Sequence, residues 1–180
     1  MRHPLLLTLL VLCAPLTGCG KLDRNEVRAF IDKADDAARK RFAPEICELR
    51  GKTFSVHQKF QAANARLEPA EMDLDRKSFC VEAGKFARLR QYRLERKSLE
   101  IDLAADRKTA RVTATYTETL PYYEPDTMPA TPDDFRQWQV LDTRDESVVG
   151  FESGDLVFLK TDADIHQTLV NKGEIKLPYD

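Results

Sequence analysis

Residues 99–117, LEIDLAADRKTARVTATYT, alternate apolar and polar side chains on both sides of a short polar turn at 105–108. A period of two is typical of half-buried β-strands, because successive side chains point to opposite faces of a sheet. The apolar face is formed by Leu99, Ile101, Leu103, Ala110, Val112, Ala114 and Tyr116. The stretch therefore predicts an antiparallel hairpin with one polar face.

Further strands are predicted after this hairpin. They span 135–143, 146–151 and 156–161, and a Ser-Gly-Asp turn at 153–155 precedes the last of them. The connecting residues 120–132 contain four prolines, which predict a long turn or flap rather than a strand.

Two main helices are predicted before the hairpin. The first follows Asp23, an N-cap residue with Glu26 three positions later as in a capping box, and Pro44 ends it. The second follows Asp75, another N-cap residue. The apolar stripes comprise Val27, Phe30, Ile31, Ala34, Ala38 and Phe42 in the first helix, and Phe79, Cys80, Ala83, Phe86 and Ala87 in the second.

A short turn or helix at 45–49 and a strand at 53–60 separate these two helices. Over about residues 23–165 the order of elements resembles the nuclear-transport-factor-2-like roll, also called the cystatin-like roll. The resemblance implies an α+β fold in which a curved antiparallel sheet packs against two main N-terminal helices and encloses a conical pocket. A generic α+β domain with a different strand order is the alternative.

The N-terminus has the three parts of a secretory signal: a positively charged lead, an apolar run and small residues. The apolar run, Leu5 to Leu12, is shorter than the about 20 residues needed to span a bilayer. Residues 16–19, Leu-Thr-Gly-Cys, resemble the bacterial lipobox. The resemblance implies removal of residues 1–18 and attachment of a lipid to Cys19. A plain cleavable signal, with an incidental cysteine, is the alternative.

This interpretation divides the chain into a signal peptide at 1–18, a lipidated tether at 19–22 and a single domain at 23–180. The lipid on Cys19 would attach the protein to a membrane of the cell envelope. By analogy with other lipoproteins, Gly20 after the cysteine favours the outer membrane, with the domain facing the periplasm. The 28 Lys and Arg balance 30 Asp and Glu without a basic segment, which argues against nucleic-acid binding.

Two cysteines, Cys47 and Cys80, remain once Cys13 is removed and Cys19 is lipidated. An oxidising compartment favours a disulfide between them. Two buried free thiols are one alternative. A metal pair is another, although no His or third Cys lies at ligand spacing. We predict a disulfide, no metal and no cofactor.

The known catalytic patterns are incomplete in this sequence. The resemblance includes ketosteroid-isomerase-like enzymes, which take a Tyr from the first helix, but the earliest Tyr here is Tyr92. His57 and His166 are predicted on the surface, and Asp162 and Asp164 in a turn. The sequence also has no nucleophile elbow and no phosphate-binding loop.

Five aromatic residues cluster in the strand region and its connecting flap: Tyr116, Tyr122, Tyr123, Trp138 and Phe158. They predict either an aromatic pocket for an apolar or peptide ligand or ordinary filling of the core. We therefore predict a non-catalytic binding or scaffold domain of the envelope, engaging a protein, peptide or apolar ligand. The alternative is a small pocket enzyme of the ketosteroid-isomerase or polyketide-cyclase type, which requires an ionisable side chain with a polar partner inside the pocket.

Overall fold

The computed structural model describes residues 20–63, 67–89, 91–123 and 135–175. The helices are α1 (Arg24–Lys40), α2 (Ala43–Glu48) and α3 (Arg76–Phe86). The strands are β1 (Arg50–Ala62), β2 (Ala70–Asp75), β3 (Arg93–Leu103), β4 (Thr109–Tyr122), β5 (Gln137–Glu152) and β6 (Asp155–Asn171).

The strands form one sheet in the order β2-β1-β6-β5-β4-β3. All neighbours are antiparallel except β1 and β6, which are parallel. The ladders shift register in β1, β3 and β5, and such irregularities bend strands and increase their twist. The predicted fold class, a curved sheet packed against N-terminal helices, is confirmed.

Helix α1 begins as the sequence predicts but ends earlier: Pro44 lies in the first turn of α2, and Phe42, which was predicted on the apolar stripe, is exposed between the two helices. The Asp23 carboxylate accepts hydrogen bonds from the backbone N–H groups of Asn25 and Glu26, at 2.8 and 2.9 Å, which satisfies two otherwise unpaired donors. Arg41 ends the helix with a left-handed φ of 54°. Because Val27 and Ile31 are buried on one side, the helix lies with its apolar stripe against the sheet.

The core is densest at the end of the roll where α1 begins. Leu22 is fully buried, although the sequence placed it in the tether. Its backbone N–H donates to the Arg107 carbonyl at 2.7 Å, and the Arg107 Nε donates to the Leu22 carbonyl at 2.8 Å. Phe30 contacts Phe158, with ring centroids 4.9 Å apart. The chain is therefore fixed to the sheet before the first helix starts.

Two predicted strand boundaries are wrong. Residues 120–122 belong to β4, not to a flap. Pro121 is accepted there because it lies beyond Thr119, the last residue of β4 that pairs with β3, so β4 has a neighbour on one side only. The last strand does not stop at residue 161 but runs to Asn171, since apolar and polar residues continue to alternate along it.

Other differences arise from short or interrupted patterns. Strand β2 was not predicted, because it is only six residues long, contains three acidic residues and pairs with β1 alone. Strand β5 is continuous through residues 144 and 145, where a break was predicted. On α3 only Ala83 is buried among the five residues of the predicted stripe. Phe79 and Phe86 are half-buried and contact Phe54 and Tyr92, with ring centroids 5.3 and 4.4 Å apart.

A disulfide links Cys47 on α2 to Cys80 on α3, with the Cα atoms 5.6 Å apart. Arg76 adds two hydrogen bonds between the same parts of the fold. Its Nε donates to the Arg50 carbonyl at 2.9 Å, and its Nη2 donates to the Cys47 carbonyl at 3.2 Å. Together these bonds hold α3 over the sheet.

The disulfide should contribute substantially to stability. Replacing both cysteines, Cys47→Ser with Cys80→Ser, should lower the free energy of unfolding by about 3–4 kcal/mol, because a closed loop of this length restricts the unfolded chain. Urea denaturation of the variant and of wild type, with and without reductant, measures the loss. Peptide mapping without reduction should recover the Cys47–Cys80 peptide pair. Free thiols on both residues in protein purified without reductant would contradict the pairing.

Candidate functional site

A cavity of about 350 Å³ lies between the helices and the concave face of the sheet. Small side chains leave this space. Alanines occupy the facing positions on both layers: Ala34 and Ala38 on α1, Ala83 on α3, Ala114 on β4 and Ala163 on β6. Larger side chains at these positions would fill the volume that the curved sheet creates.

The cavity wall is largely apolar but contains several ionisable side chains. These are Asp35, Arg50, Tyr92, Tyr116, Glu118 and Asp145, together with Glu82 near α3. Inward positions of a sheet normally carry apolar residues, and buried polar groups are costly unless they find partners. The pocket thus contains the ionisable side chains that the enzyme alternative requires.

Arg50, at the start of β1, is surrounded by aromatic rings. Its guanidinium carbon lies 4.2 Å from the ring centroid of Phe158, 4.9 Å from that of Phe79 and 5.2 Å from that of Phe54. Its Nε and Nη1 are buried and have no hydrogen-bond partner among the described residues. Burial lowers the pKa of Arg50 to about 10, so the side chain is still charged at neutral pH. The rings partly replace the lost hydration.

Asp145 projects from the middle of β5 into the same cavity. Burial, and then the nearby Glu118, raise the pKa of Asp145 from 3.8 to about 7, while the positive charge of Arg50 acts in the opposite direction. No ion pair joins Arg50 and Asp145 among the salt bridges of the described residues. Asp145 is therefore available in both protonation states near neutrality, as a general acid or base requires.

Asp35 ties α1 to the sheet at the level of the cavity. Its Oδ2 accepts from Nη1 of Arg96 on β3 at 2.6 Å, and Nη2 of Arg96 donates to Asp32 at 2.6 Å. The Tyr116 hydroxyl also hydrogen-bonds to Asp35. Burial raises the pKa of Asp35 despite Arg96, and burial likewise raises the pKa of Tyr116. Tyr116 is thus a neutral hydrogen-bonding group held in a fixed position.

A second tyrosine–carboxyl pair lies further along the cavity. The Tyr92 hydroxyl donates to Glu118 at 2.7 Å, and the ring of Tyr92 packs edge-on against Phe86 with centroids 4.4 Å apart. Burial raises the pKa of Glu118, which the bond from Tyr92 partly offsets. Burial and Glu118 together raise the pKa of Tyr92. This pair therefore places a polar group among aromatic side chains.

The five predicted aromatic residues do not form one site. Tyr116 and Phe158 line the cavity. Trp138 instead packs against Phe135 with ring centroids 4.4 Å apart, and Tyr123 contacts the same Phe135 ring at 6.3 Å. Tyr122 ends β4 opposite Gln137. These residues were predicted as one cluster because the sequence does not show how far apart they lie along the long strands.

Other predictions fall on the surface or outside the described residues. His57 on β1 hydrogen-bonds to Asp73 on β2 at 2.8 Å, and His166 is exposed on β6. Asp162 lies in β6, not in a turn, and pairs with Lys160 at 2.8 Å. Residues 124–132 of the predicted flap and Cys19 lie outside the described residues.

Sequence reasoning missed five cavity residues: Asp35, Arg50, Tyr92, Glu118 and Asp145. One signal was present, because Glu118 follows Tyr116 by two positions and so shares its face of β4. Asp145 fell in the supposed break between two strands, and Arg50 in a supposed turn. Their inward direction depends on the register of the sheet, which the local pattern does not give.

Within the described residues no group of three or more His, Cys, Asp or Glu side chains is arranged to hold a metal ion. No helix in that part of the chain is long and apolar enough to cross a membrane.

Similar folds occur among solved structures. A putative scytalone dehydratase from Novosphingobium aromaticivorans is 12% identical, with a TM-score of 0.55 over 83% of this chain and 87% of that one. A hexachlorocyclohexane dehydrochlorinase from Novosphingobium barchaimii is 9% identical, with a TM-score of 0.55 over 86% and 95%. An NTF2-like protein of unknown function from Pseudomonas putida is 10% identical, with a TM-score of 0.54 over 78% and 84%.

These likenesses show that the chain has the NTF2-like, cystatin-like roll, which confirms the fold expected from the order of elements. No protein-family model matches the sequence, and no curated protein matches it. The structural neighbours are named as enzymes or as proteins of unknown function, so the fold is compatible with a pocket enzyme.

Asp145 should make stability depend on pH. Its pKa is raised on folding from 3.8 to about 7, so the folded protein loses stability as the pH rises between these values and the penalty is complete above the folded pKa. Asp145→Asn removes this penalty. The variant should gain up to about 4 kcal/mol over wild type between about pH 4 and about pH 8, at about 1.4 kcal/mol for each pKa unit.

Chemical denaturation at several pH values measures this difference. Asp142→Asn is the matched control, because Asp142 lies on the same strand but is exposed. Its difference from wild type measures the effect of an Asp→Asn change outside the cavity. An Asp145→Asn difference that stays constant across the range would contradict the raised pKa.

Proposed function

We propose that the protein is a lipid-anchored envelope protein that binds a small organic molecule in the cavity of its roll. The observation that carries this proposal is the cavity of about 350 Å³ with aromatic walls and a buried, charged Arg50. Ligand pockets in proteins have volumes of about 300–1,000 Å³ and combine apolar walls with a few polar groups. A binding role also agrees with the function predicted from the sequence.

The polar groups favour a neutral ligand that carries a hydroxyl or carbonyl oxygen. Arg50 supplies positive charge, and Asp145 can donate or accept a hydrogen bond near neutral pH. Carboxyl groups outnumber cations along the wall, since Asp35, Glu118 and Asp145 face the cavity with Arg50. A multiply charged anion would therefore meet repulsion, whereas a neutral oxygenated molecule would satisfy both kinds of group.

The anchor in this proposal is the lipid on Cys19. Residues 16–19 support it, because Leu-Thr-Gly-Cys follows an apolar run and immediately precedes the polar start of the domain. Two or three acyl chains give stable membrane attachment, whereas a single chain does not. We place the protein at the outer membrane, facing the periplasm.

Acid–base catalysis is a second candidate, favoured by Asp145. A carboxyl with a pKa of about 7 can remove a proton from carbon, while neighbouring donors stabilise the negative charge that develops on an oxygen. The buried Nε and Nη1 of Arg50, which have no hydrogen-bond partner among the described residues, are donors of this kind. The names of structural neighbours, a dehydratase and a dehydrochlorinase, describe eliminations, a class of reaction that includes proton removal.

Binding can be tested by filling the cavity. The probe is 2-naphthol, a neutral aromatic alcohol that is small enough for the space. Wild type should bind it saturably by calorimetry, and Ala38→Trp, on the cavity face of α1, should weaken the affinity at least about tenfold, or about 1.4 kcal/mol. Asp36→Trp, on the exposed side of the same helix, should bind like wild type.

Thermal unfolding of both tryptophan variants confirms that they fold. Equal affinity in folded Ala38→Trp and wild type, or no saturable binding to wild type, would contradict the assignment of the cavity as a binding site for such molecules.

The catalytic candidate has a separate assay with 5-nitrobenzisoxazole. A base removes its C–H proton, that electron pair forms the nitrile, and the N–O bond breaks to give a coloured phenolate. The rate should rise through about pH 7 as Asp145 ionises, and Asp145→Asn should lower it by about a hundredfold or more. Asp142→Asn is again the control. A rate no higher than that of acetate at equal carboxylate concentration argues against catalysis and leaves binding as the function.

A further inference from the structure

We propose that one end of the roll rests on the membrane surface and that the cavity opens toward the aqueous compartment, so that its ligand enters from water. We call this end the anchored end. It comprises residues 20–23, the β3–β4 turn at 104–108 and the β5–β6 turn at 153–154. The inference rests on the proposed lipid at Cys19 and adds an orientation to it.

The residues after Cys19 are fixed to the domain and do not form a free linker. An ideal Cβ on Gly20 would lie 3.0 Å from the ring of Phe151, so the backbone runs directly along that ring. Leu22 is fully buried and exchanges two hydrogen bonds with Arg107. Three residue steps separate Leu22 from Cys19, or at most about 10 Å of extended chain. A lipid on Cys19 would therefore hold the anchored end at the bilayer surface.

The exposed side chains of the anchored end carry both signs of charge. Lys21 and Lys108 are basic, and Asp23 and Asp106 are acidic. Asp23 accepts two backbone hydrogen bonds at the start of α1, and Asp106 accepts one in the β3–β4 turn. The lipid, and not a basic surface, would therefore hold this end at the bilayer.

The cavity lies farther from this end, and packed side chains separate the two. Asp35 is eleven residues beyond Arg24 along α1, which corresponds to a rise of about 16 Å. The intervening layer contains the most deeply buried side chains of the core: Leu22, Val27, Phe30, Ala110 and Val149. A molecule in the bilayer has no route through this layer to the cavity.

The cavity extends along the strands away from the anchored end. Arg50 and Phe158, at the starts of β1 and β6, line its nearer side. Strand β3 ends and β4 begins at the anchored end, and cavity residues Leu94 and Glu118 lie toward the opposite ends of those strands. Tyr92, which precedes β3, also lines the cavity. The ligand is therefore a molecule dissolved or carried in water, and not one that slides out of the membrane beneath the domain.

The orientation can be measured with fluorophores on the full-length lipidated protein in phosphatidylethanolamine–phosphatidylglycerol vesicles. Asp155→Cys places a label at the anchored end, and Ala63→Cys places one at the far end of β1; both positions are exposed. Cys47 and Cys80 are bonded to each other, so the new cysteine is the reactive thiol. A nitroxide on the lipid headgroups should quench the Asp155→Cys label severalfold more than the Ala63→Cys label.

A flexible Gly/Ser insertion of about twelve residues between Gly20 and Lys21, with an average span of about 20 Å, should largely remove the difference. Equal quenching without the insertion, or stronger quenching at Ala63→Cys, would overturn the orientation while leaving the anchor intact. Flotation with vesicles reports the anchor separately: wild type and Cys13→Ala should float, and Cys19→Ala should not. If Cys19→Ala floats as well as wild type, the proposed anchor fails and the orientation fails with it.

Discussion

Arg96 is the residue on which the cavity depends most directly. Its guanidinium binds Asp32 and Asp35 at 2.6 Å each, so it connects β3 to two residues of α1 that lie about one turn apart. Toward its N-terminus the helix is held by apolar packing, but at the level of the cavity its sheet-facing residues include Ala34 and Ala38. Without an ionic contact there, the helix could collapse onto the sheet or move away from it. The ion pairs keep the gap at a defined width, and they also position Tyr116 through Asp35.

The remaining ionisable groups in the cavity cost stability and therefore call for an explanation. A charged Arg50 with two buried, unpaired nitrogens and a carboxyl such as Asp145 are unfavourable in a structure selected for stability alone. The dense core around Leu22 and the Cys47–Cys80 bond offset such costs elsewhere in the fold. Strain and unsatisfied polar groups concentrate where proteins bind or react, and this supports the proposal that the cavity binds a ligand.

Sequence patterns predicted the fold, but of the residues that line the cavity they singled out only Tyr116 and Phe158 as candidate site residues. The alternation around residues 99–117 and the N-caps Asp23 and Asp75 are local signals, and each corresponds to an element of the structure. The cavity depends on register over long distances. Asp145 pairs with Ala114 on β4 and with Ala163 on β6, and it therefore faces inward as those alanines do. These pairs join residues that are far apart in the chain. No local window shows that pairing, and an acidic residue between two apolar runs resembles a turn.

The two ends of the roll differ in their side chains. The end around Leu22 and the start of α1 is closely packed, and the ionisable side chains line the cavity. The most direct measurement of the cavity's properties is the carboxyl ¹³C chemical shift of Asp145, followed by NMR from about pH 3 to about pH 9 and assigned with Asp145→Asn. Burial of the carboxyl in the cavity wall predicts a midpoint near 7. A midpoint near 3.8, the ordinary value for an aspartate, would show that the carboxyl is open to solvent and would contradict the assignment.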